Sequence, residues 1–85
     1  MILSVKERMQ FQYILPMQGN LELLEMVEGI LRKVFIENME EENREFIFDI
    51  DEIQFLQRNI DILDKSNKLN FGSLSVVRKI MEEII

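Results

Sequence analysis

Apolar residues recur at helical spacing in separate segments of this 85-residue chain, and that periodicity constrains the fold more than any other feature. The clearest segment predicts a helix over 21–34. Its apolar stripe consists of Leu23, Val27, Ile30, Leu31 and Val34. Gly29 lies inside this helix at a cost of about 1 kcal/mol relative to alanine. We expect the close approach of another helix there to offset that cost.

A capping-box pattern predicts where the first helix begins. Glu7 follows Ser4 by three positions, so each side chain can accept a hydrogen bond from the other residue's backbone N–H group. We predict a helix over 5–14, with Val5 and Met9 on its apolar stripe. The proline that follows ends this helix, because the residue before a proline is forced out of the helical region.

The same capping pattern recurs at Asp49 and Glu52, and it predicts the beginning of another helix. This helix spans 50–65. Its apolar stripe consists of Ile53, Leu56, Ile60 and Leu63. The opposite face is polar, which is typical of a helix that packs on a core with one side and faces water with the other.

A polar connector over 66–70 leads to the final helix, which we expect to begin at Gly72 or Ser73. The apolar stripe of this helix consists of Leu74, Val77, Ile80, Met81 and Ile84. Four helices joined by short connectors predict a mainly α protein, folded as one compact four-helix domain over 1–85.

Residues 35–48 allow two interpretations. Apolar triplets at both ends flank an acidic run, which fits a short hairpin with a long acidic loop. The run also fits a short helix capped by Asn38, with the aromatic residues buried in the core. We favour the helix, because the run lacks the Asn-Gly or Asp-Gly turn that a tight hairpin prefers. The expected interruption of the helical fold is a short irregular or minor β segment around 34–48.

The chain contains no histidine and no cysteine, and their absence removes several classes of function. The usual zinc, copper and haem sites need these residues as ligands. The commonest general base and the thiolate nucleophile are missing as well. The acids lie at helix starts and in one run, where capping and solvation account for them. We therefore expect no catalytic residues, no metal ligands and no cofactor, and we predict that the protein is not an enzyme.

The net charge of −6 is concentrated in residues 37–52, which hold eight acids and one base, whereas the remainder holds eight acids and nine bases. The simplest interpretation is a solvated acidic surface. The alternative is an acidic inhibitor or nucleic-acid mimic that docks a basic partner through this segment. The candidate partner-binding residues are Glu37, Glu40, Glu41, Glu42, Glu45 and Asp49.

Six phenylalanines and six methionines are more apolar side chains than four short helices readily bury. They fit either a well-filled core, with methionine as gap filler, or an interface. A homodimer is the simplest interface, because two-fold dimers are the commonest oligomers.

Direct nucleic-acid binding is not expected, since no predicted helix presents a clustered basic face. The leading hypothesis is a protein–protein interaction domain, acting as an assembly or regulatory adaptor with a protein partner.

The beginning of the chain lacks the apolar run of a signal peptide, because a charged residue already stands at Lys6. The longest apolar runs are three residues, far too short to span a membrane. We therefore expect a cytoplasmic protein that has no membrane partner.

Three segments together resemble a loose group of short proteins from bacteria and their phages: Val5–Arg8, Ile14–Asn20 and Leu63–Leu69. Members of that group place an LPxxGN-like connector between their first two helices and an NKL-like connector before their last. The resemblance implies a helical domain and a phage or mobile-element origin, and it implies no activity. Members have a longer middle, roughly where this chain has its acidic run.

Overall fold

The computed structural model describes residues 1–35 and 43–84. Within those ranges the α-helices are α1 (Val5–Gln10), α2 (Leu21–Phe35), α3 (Ile50–Lys65) and α4 (Leu74–Met81). The strands are β1 (Ile2–Ser4) and β2 (Asn43–Glu45), and single 3₁₀ turns span Phe11–Tyr13 and Phe71–Ser73. The Cα radius of gyration is 12.2 Å, close to the value of about 12 Å expected for a compact chain of this length. The prediction of a mainly helical four-helix domain with a minor β segment is confirmed.

Both predicted capping boxes are present. The Glu7 N–H group donates to Ser4 Oγ at 3.1 Å, and the Ser4 N–H group donates to Glu7 Oε1 at 3.0 Å. The Glu52 N–H group donates to Asp49 Oδ1 at 2.9 Å, and the Asp49 N–H group donates to Glu52 Oε1 at 2.9 Å. Each box satisfies two backbone donors at a helix start. As predicted, α3 therefore covers residues 50–65.

Helices α1 and α2 begin at the predicted residues 5 and 21, but three other helix ends depart from the predicted ones by one to four residues. Helix α2 continues to Phe35, one residue past the prediction. Helix α1 ends at Gln10 and continues as a 3₁₀ turn rather than as an α-helix to residue 14. Helix α4 begins at Leu74, after a 3₁₀ turn in which Asn70 Oδ1 accepts a hydrogen bond from the Gly72 N–H group at 2.7 Å. Capping by Asn70 thus begins this segment as a 3₁₀ turn, which is tighter than a turn of α-helix.

Strand β2 pairs with β1 in an antiparallel sheet. The register places Leu3 opposite Arg44 and Ile2 opposite Glu45. Within the described part of the 35–48 segment, residues 43–45 therefore form a strand that pairs with the beginning of the chain, and neither predicted arrangement includes this pairing. Asn38, the proposed cap of the favoured short helix, lies outside the described residues. The pairing covers Leu3, which is fully buried. It was not predicted because a contact between positions so far apart leaves no local sequence pattern.

The buried side of α1 differs from the predicted one. Val5 is only half-buried and Met9 is exposed, whereas the helix buries Glu7, Arg8 and Gln10. The predicted apolar stripe was therefore wrong. Glu7 and Arg8 can occupy this face because other elements supply partners for them: Glu7 accepts hydrogen bonds from Ser75 and Lys79 of α4, and Arg8 Nε donates to the Ser4 carbonyl oxygen at 3.3 Å.

The core lies between β1, the helices and the segment after β2. Its buried members include Leu3, Phe11, Ile14, Leu15, Val27, Ile30, Val34, Phe46, Leu56, Ile60, Val76, Val77 and Ile80. On α4 the predicted stripe is only partly correct, because Met81 and Ile84 are exposed. The helix ends at Met81, so Ile84 no longer follows the helical path toward the core.

Gly29 does not mark a close helix approach. No described heavy atom outside its own helix backbone lies within 4 Å of the position that a Cβ would take there. The expectation that another helix packs against Gly29 was wrong, and this part of α2 faces away from the core.

Candidate functional site

The outer face of α2 carries a shallow apolar groove that runs along most of the helix. Its lining residues in the described part of the chain all belong to α2: Leu24, Val27, Glu28, Leu31, Arg32 and Phe35. Only Val27 among them is buried, while Leu31 and Phe35 are half-buried and Leu24 is 36% exposed. The inner face of the same helix supplies Ile30 and Val34 to the core. Val27 also belongs to the core, and Leu31 and Phe35 pack against it, so the groove side is partly used within the fold and Leu24 is its most exposed apolar residue.

Two opposite charges lie within this groove. The Arg32 guanidinium lies 3.6 Å from the Glu28 carboxylate, one helical turn away, and both side chains are about two-thirds exposed. An exposed pair of this kind contributes less than about 1 kcal/mol to the stability of a monomer. The pair therefore places two opposite charges in the middle of an apolar stripe.

A second polar cluster joins the start of α1 to α4. The Lys79 ammonium group donates to Glu7 Oε1 and to the Ile2 carbonyl oxygen, both at 2.7 Å. The Ser75 hydroxyl donates to the other oxygen of Glu7. The Glu7 side chain is 9% exposed, so this carboxylate is held almost entirely inside the protein.

The electrostatics of the cluster keep Glu7 ionised. Burial by itself raises the pKa of this carboxyl. The hydrogen bonds from Lys79, Ser4 and Ser75, together with the Lys79 charge, outweigh that effect and lower the pKa from 4.5 to about 2. A carboxylate with so low a pKa, whose two oxygens already accept hydrogen bonds, is a weak base. The cluster therefore acts as a connection between helices, in contrast to the raised carboxyl pKa that acid–base catalysis uses.

The start of α3 repeats this arrangement with different residues. The Lys33 ammonium group of α2 donates to Glu52 Oε1 and to the Ile47 carbonyl oxygen. It also lies 5.2 Å from the centre of the Phe48 ring. In both clusters a lysine from another helix binds the glutamate of a capping box and the carbonyl two residues before the cap.

The predicted acidic site lies only partly within the described residues. Glu45 Oε1 accepts a hydrogen bond from the Met1 amino group at 3.0 Å, and Asp49 caps α3. Both residues thus have structural roles. The other four candidates, Glu37, Glu40, Glu41 and Glu42, lie outside the described residues. Their role in binding a basic partner stays a prediction.

The phenylalanines divide into two groups. Phe11 and Phe46 are buried, and Phe48 stacks near both. The guanidinium groups of Arg8 and Arg44 lie 5.4 and 5.6 Å from the centre of the Phe46 ring. These rings fill the space between α1 and the segment after β2, as the interpretation of buried aromatic residues proposed. Phe71 is the opposite case, with 88% of its surface exposed.

In residues 1–35 and 43–84, no group of three or more acidic side chains is arranged to hold a metal ion. No α-helix in these ranges has both the length and the apolar character needed to cross a bilayer.

Comparison with known proteins returned no match from protein-family models, from curated proteins or from solved structures. The resemblance to short bacterial and phage proteins accordingly stays an expectation from the sequence.

Proposed function

We propose that the protein is a small interaction domain that forms a homodimer through the outer face of α2 and acts as an assembly or regulatory adaptor. The observation that carries the proposal is the apolar groove on that face, with Glu28 and Arg32 at its centre. An exposed apolar stripe on an otherwise well-packed helix is a typical interaction surface.

The order of residues along the groove suits a second copy of the same chain. In a two-fold dimer of antiparallel helices, a residue that precedes the axis by some number of positions faces the residue of the partner helix that follows the axis by the same number. With antiparallel helices and the axis midway between Glu28 and Leu31, Leu24 faces Phe35 of the partner subunit. Glu28 then lies close to Arg32 of the partner subunit, and the reciprocal pair forms on the other side.

The size of the surface predicts a weak dimer. Helix α2 has 15 residues, which gives a length of about 22 Å. One helix pair of this length lies at the small end of specific interfaces, for which dissociation constants in the micromolar range are common. The dimer should therefore assemble and dissociate with concentration, which suits an adaptor.

Sedimentation equilibrium over a wide concentration range tests the proposal. We expect the mass to rise from the monomer value of 10.2 kDa toward twice that value. Leu24→Asp should keep the protein monomeric, because it places a charge in the apolar groove. A mass near the monomer value at every concentration would refute self-association, and a dimer that persists in Leu24→Asp would refute the α2 interface.

A charge exchange tests the register. Glu28→Arg alone and Arg32→Glu alone should each weaken the dimer, because like charges then face each other across the axis. The double variant restores opposite charges and should recover association. The exposed pair of Asp61 and Lys65 on α3 has the same spacing, so Asp61→Arg is a matched control that should leave the dimer intact.

A further inference from the structure

A second groove, which shares no lining residue with the α2 groove, lies between α1, the turn before α4, and α4 itself. The side chains that line it and carry the argument are Lys6, Gln10, Phe71, Leu74 and Arg78. Lys6, Phe71 and Arg78 are exposed, and Leu74 is half-buried. None of the described residues that line the groove is acidic. In a chain with a net charge of −6, this is a local basic and apolar surface.

The neighbouring acid does not cancel this charge. Glu7 lies beneath the groove, but its carboxylate is already bound by the Lys79 ammonium group and the Ser75 hydroxyl. Lys6 and Arg78 thus remain as the two cations that face the groove. They suit carboxylates of a bound molecule, while the exposed ring of Phe71 suits an apolar side chain.

Gln10 supplies an independent indication of a ligand. Its side chain lines the groove and is 9% exposed, and its Oε1 oxygen is buried without a hydrogen-bond donor in the described part of the chain. A buried acceptor with no partner is costly, so a donor that reaches it lowers the free energy of the complex. The group that satisfies it must bring an N–H or O–H donor.

These features together select one class of ligand. A protein segment brings backbone N–H donors for Gln10, carboxylates for the two cations and apolar side chains for Phe71. Single-stranded nucleic acid would stack on Phe71 and bind the cations through its phosphates. Such a strand, however, carries a negative phosphate at every nucleotide, so the net charge of −6 on the chain opposes it more strongly than a protein segment that carries only a few acids.

We propose that this groove binds an extended acidic segment of another protein, with its carboxylates on Lys6 and Arg78 and an apolar side chain on Phe71. The site is separate from the α2 face, so the same domain can form a homodimer and hold a partner at once. The binding does not depend on the dimer.

A random peptide library displayed on phage tests the proposal without assuming a sequence. The full-length protein should enrich peptides in which acids alternate with aromatic or aliphatic residues. Labelled copies of the enriched peptides, measured by fluorescence polarisation, should bind about tenfold more weakly to Phe71→Ala and to the double variant Lys6→Glu/Arg78→Glu. Gln10→Leu should also weaken binding, since it removes the buried acceptor.

The controls separate this site from the others. Arg58 is an exposed arginine of α3 outside the groove, so Arg58→Glu should bind the peptides like the natural sequence. Leu24→Asp should also bind the peptides like the natural sequence. Because this variant affects only the proposed homodimer, it separates a failure of this proposal from a failure of the homodimer. Circular dichroism of each variant checks that its helical content is retained.

The proposal is overturned by any of three results. The first is no enrichment of acidic peptides, and the second is enriched peptides that bind the groove variants and Arg58→Glu equally well. The third is tighter binding of oligothymidine than of every enriched peptide, with the same loss in Phe71→Ala, because the groove would then be a nucleic-acid site.

Discussion

The Lys79 ammonium group donates to Glu7 Oε1 at 2.7 Å, although the two residues are 72 positions apart in the sequence. Lys33 has the same relation to Glu52, so both capping boxes found in residues 1–35 and 43–84 are tied to a lysine of a different helix. The glutamate that starts a helix thereby also fixes where that helix lies. Local capping and tertiary packing are joined in one side chain at both sites.

The lowered pKa of Glu7 predicts how stability depends on pH. Because the pKa is about 2 in the folded protein against 4.5 ordinarily, the unfolded chain binds the proton more readily. The stabilisation of the folded protein by the ionised Glu7 carboxylate is complete above the ordinary pKa, and it is lost as the pH falls from about 5 toward 2. Its size is on the order of 3 kcal/mol.

Urea denaturation followed by circular dichroism at a series of pH values measures this effect. Glu7→Gln, which cannot ionise, serves as the control. Its free energy of unfolding should change less over the same range of pH. Parallel losses of stability in both proteins would show that Glu7 is not the group responsible.

Replacing Lys79 should lower the free energy of unfolding by more than the partial exposure of its side chain suggests. Lys79→Met leaves the Glu7 carboxylate buried without its ammonium partner, and we expect a loss of about 2 kcal/mol. Lys33→Met should have a similar effect at Glu52. Lys65→Met breaks the exposed pair with Asp61 and should leave the stability nearly unchanged. Equal effects in all three variants, measured by denaturation, would contradict a special role of the capping-box lysines.

Gly29→Ala should stabilise the protein. The added methyl group meets no described atom within 4 Å, and alanine favours the helix by about 1 kcal/mol over glycine. Gly29 lies to one side of the Leu24–Phe35 groove, so the dimer should be unaffected. A rise in melting temperature with an unchanged sedimentation profile is the expected result, and a loss of stability would reveal a contact at this position.

Asn67 ends α3 with a positive φ of 57°, the left-handed conformation that asparagine and glycine tolerate best. There the Lys68 N–H group donates to the Leu63 carbonyl oxygen at 2.8 Å, which closes the helix end. Asn67→Ala should cost about 1 kcal/mol, whereas Asn67→Gly should be neutral or stabilising. Thermal unfolding of the two variants, which differ by one methyl group, checks the prediction directly. Equal stability would mean that the backbone relaxes at this position.

The features that the sequence predicted best are those whose causes lie within a few residues. The capping boxes at Ser4 and Asp49 and the spacing of Ile53 to Leu63 set the start and length of helices without help from the rest of the fold. The pairing of Leu3 with Arg44 depends on residues about forty positions apart, and no local pattern records it. The buried polar face of α1 was missed for the same reason, since Glu7 is compatible with the interior only because Lys79 lies beside it.

The candidate sites also combine features that the sequence predicts with features that only the structure reveals. The concentration of acids was evident from the sequence, but what Glu45 and Asp49 bind became clear only from the structure. The groove around Phe71 gave one signal beforehand, an aromatic residue directly after a polar connector. What gathers Lys6, Gln10 and Arg78 around that ring is the packing of α1 on α4, which sequence spacing alone does not predict.

The pairing of β1 with β2 has a consequence for the order in which the chain folds. Helices α2 and α3 can form as soon as their own residues are available, since their contacts are local. Strand β1 must wait for residues 43–45, and α1 must wait for Lys79 before its carboxylate has a partner. Leu3 and Phe11 therefore spend the early part of folding exposed to water. In pulse-labelling hydrogen exchange we expect amides of α3 to gain protection before those of β1 and α1.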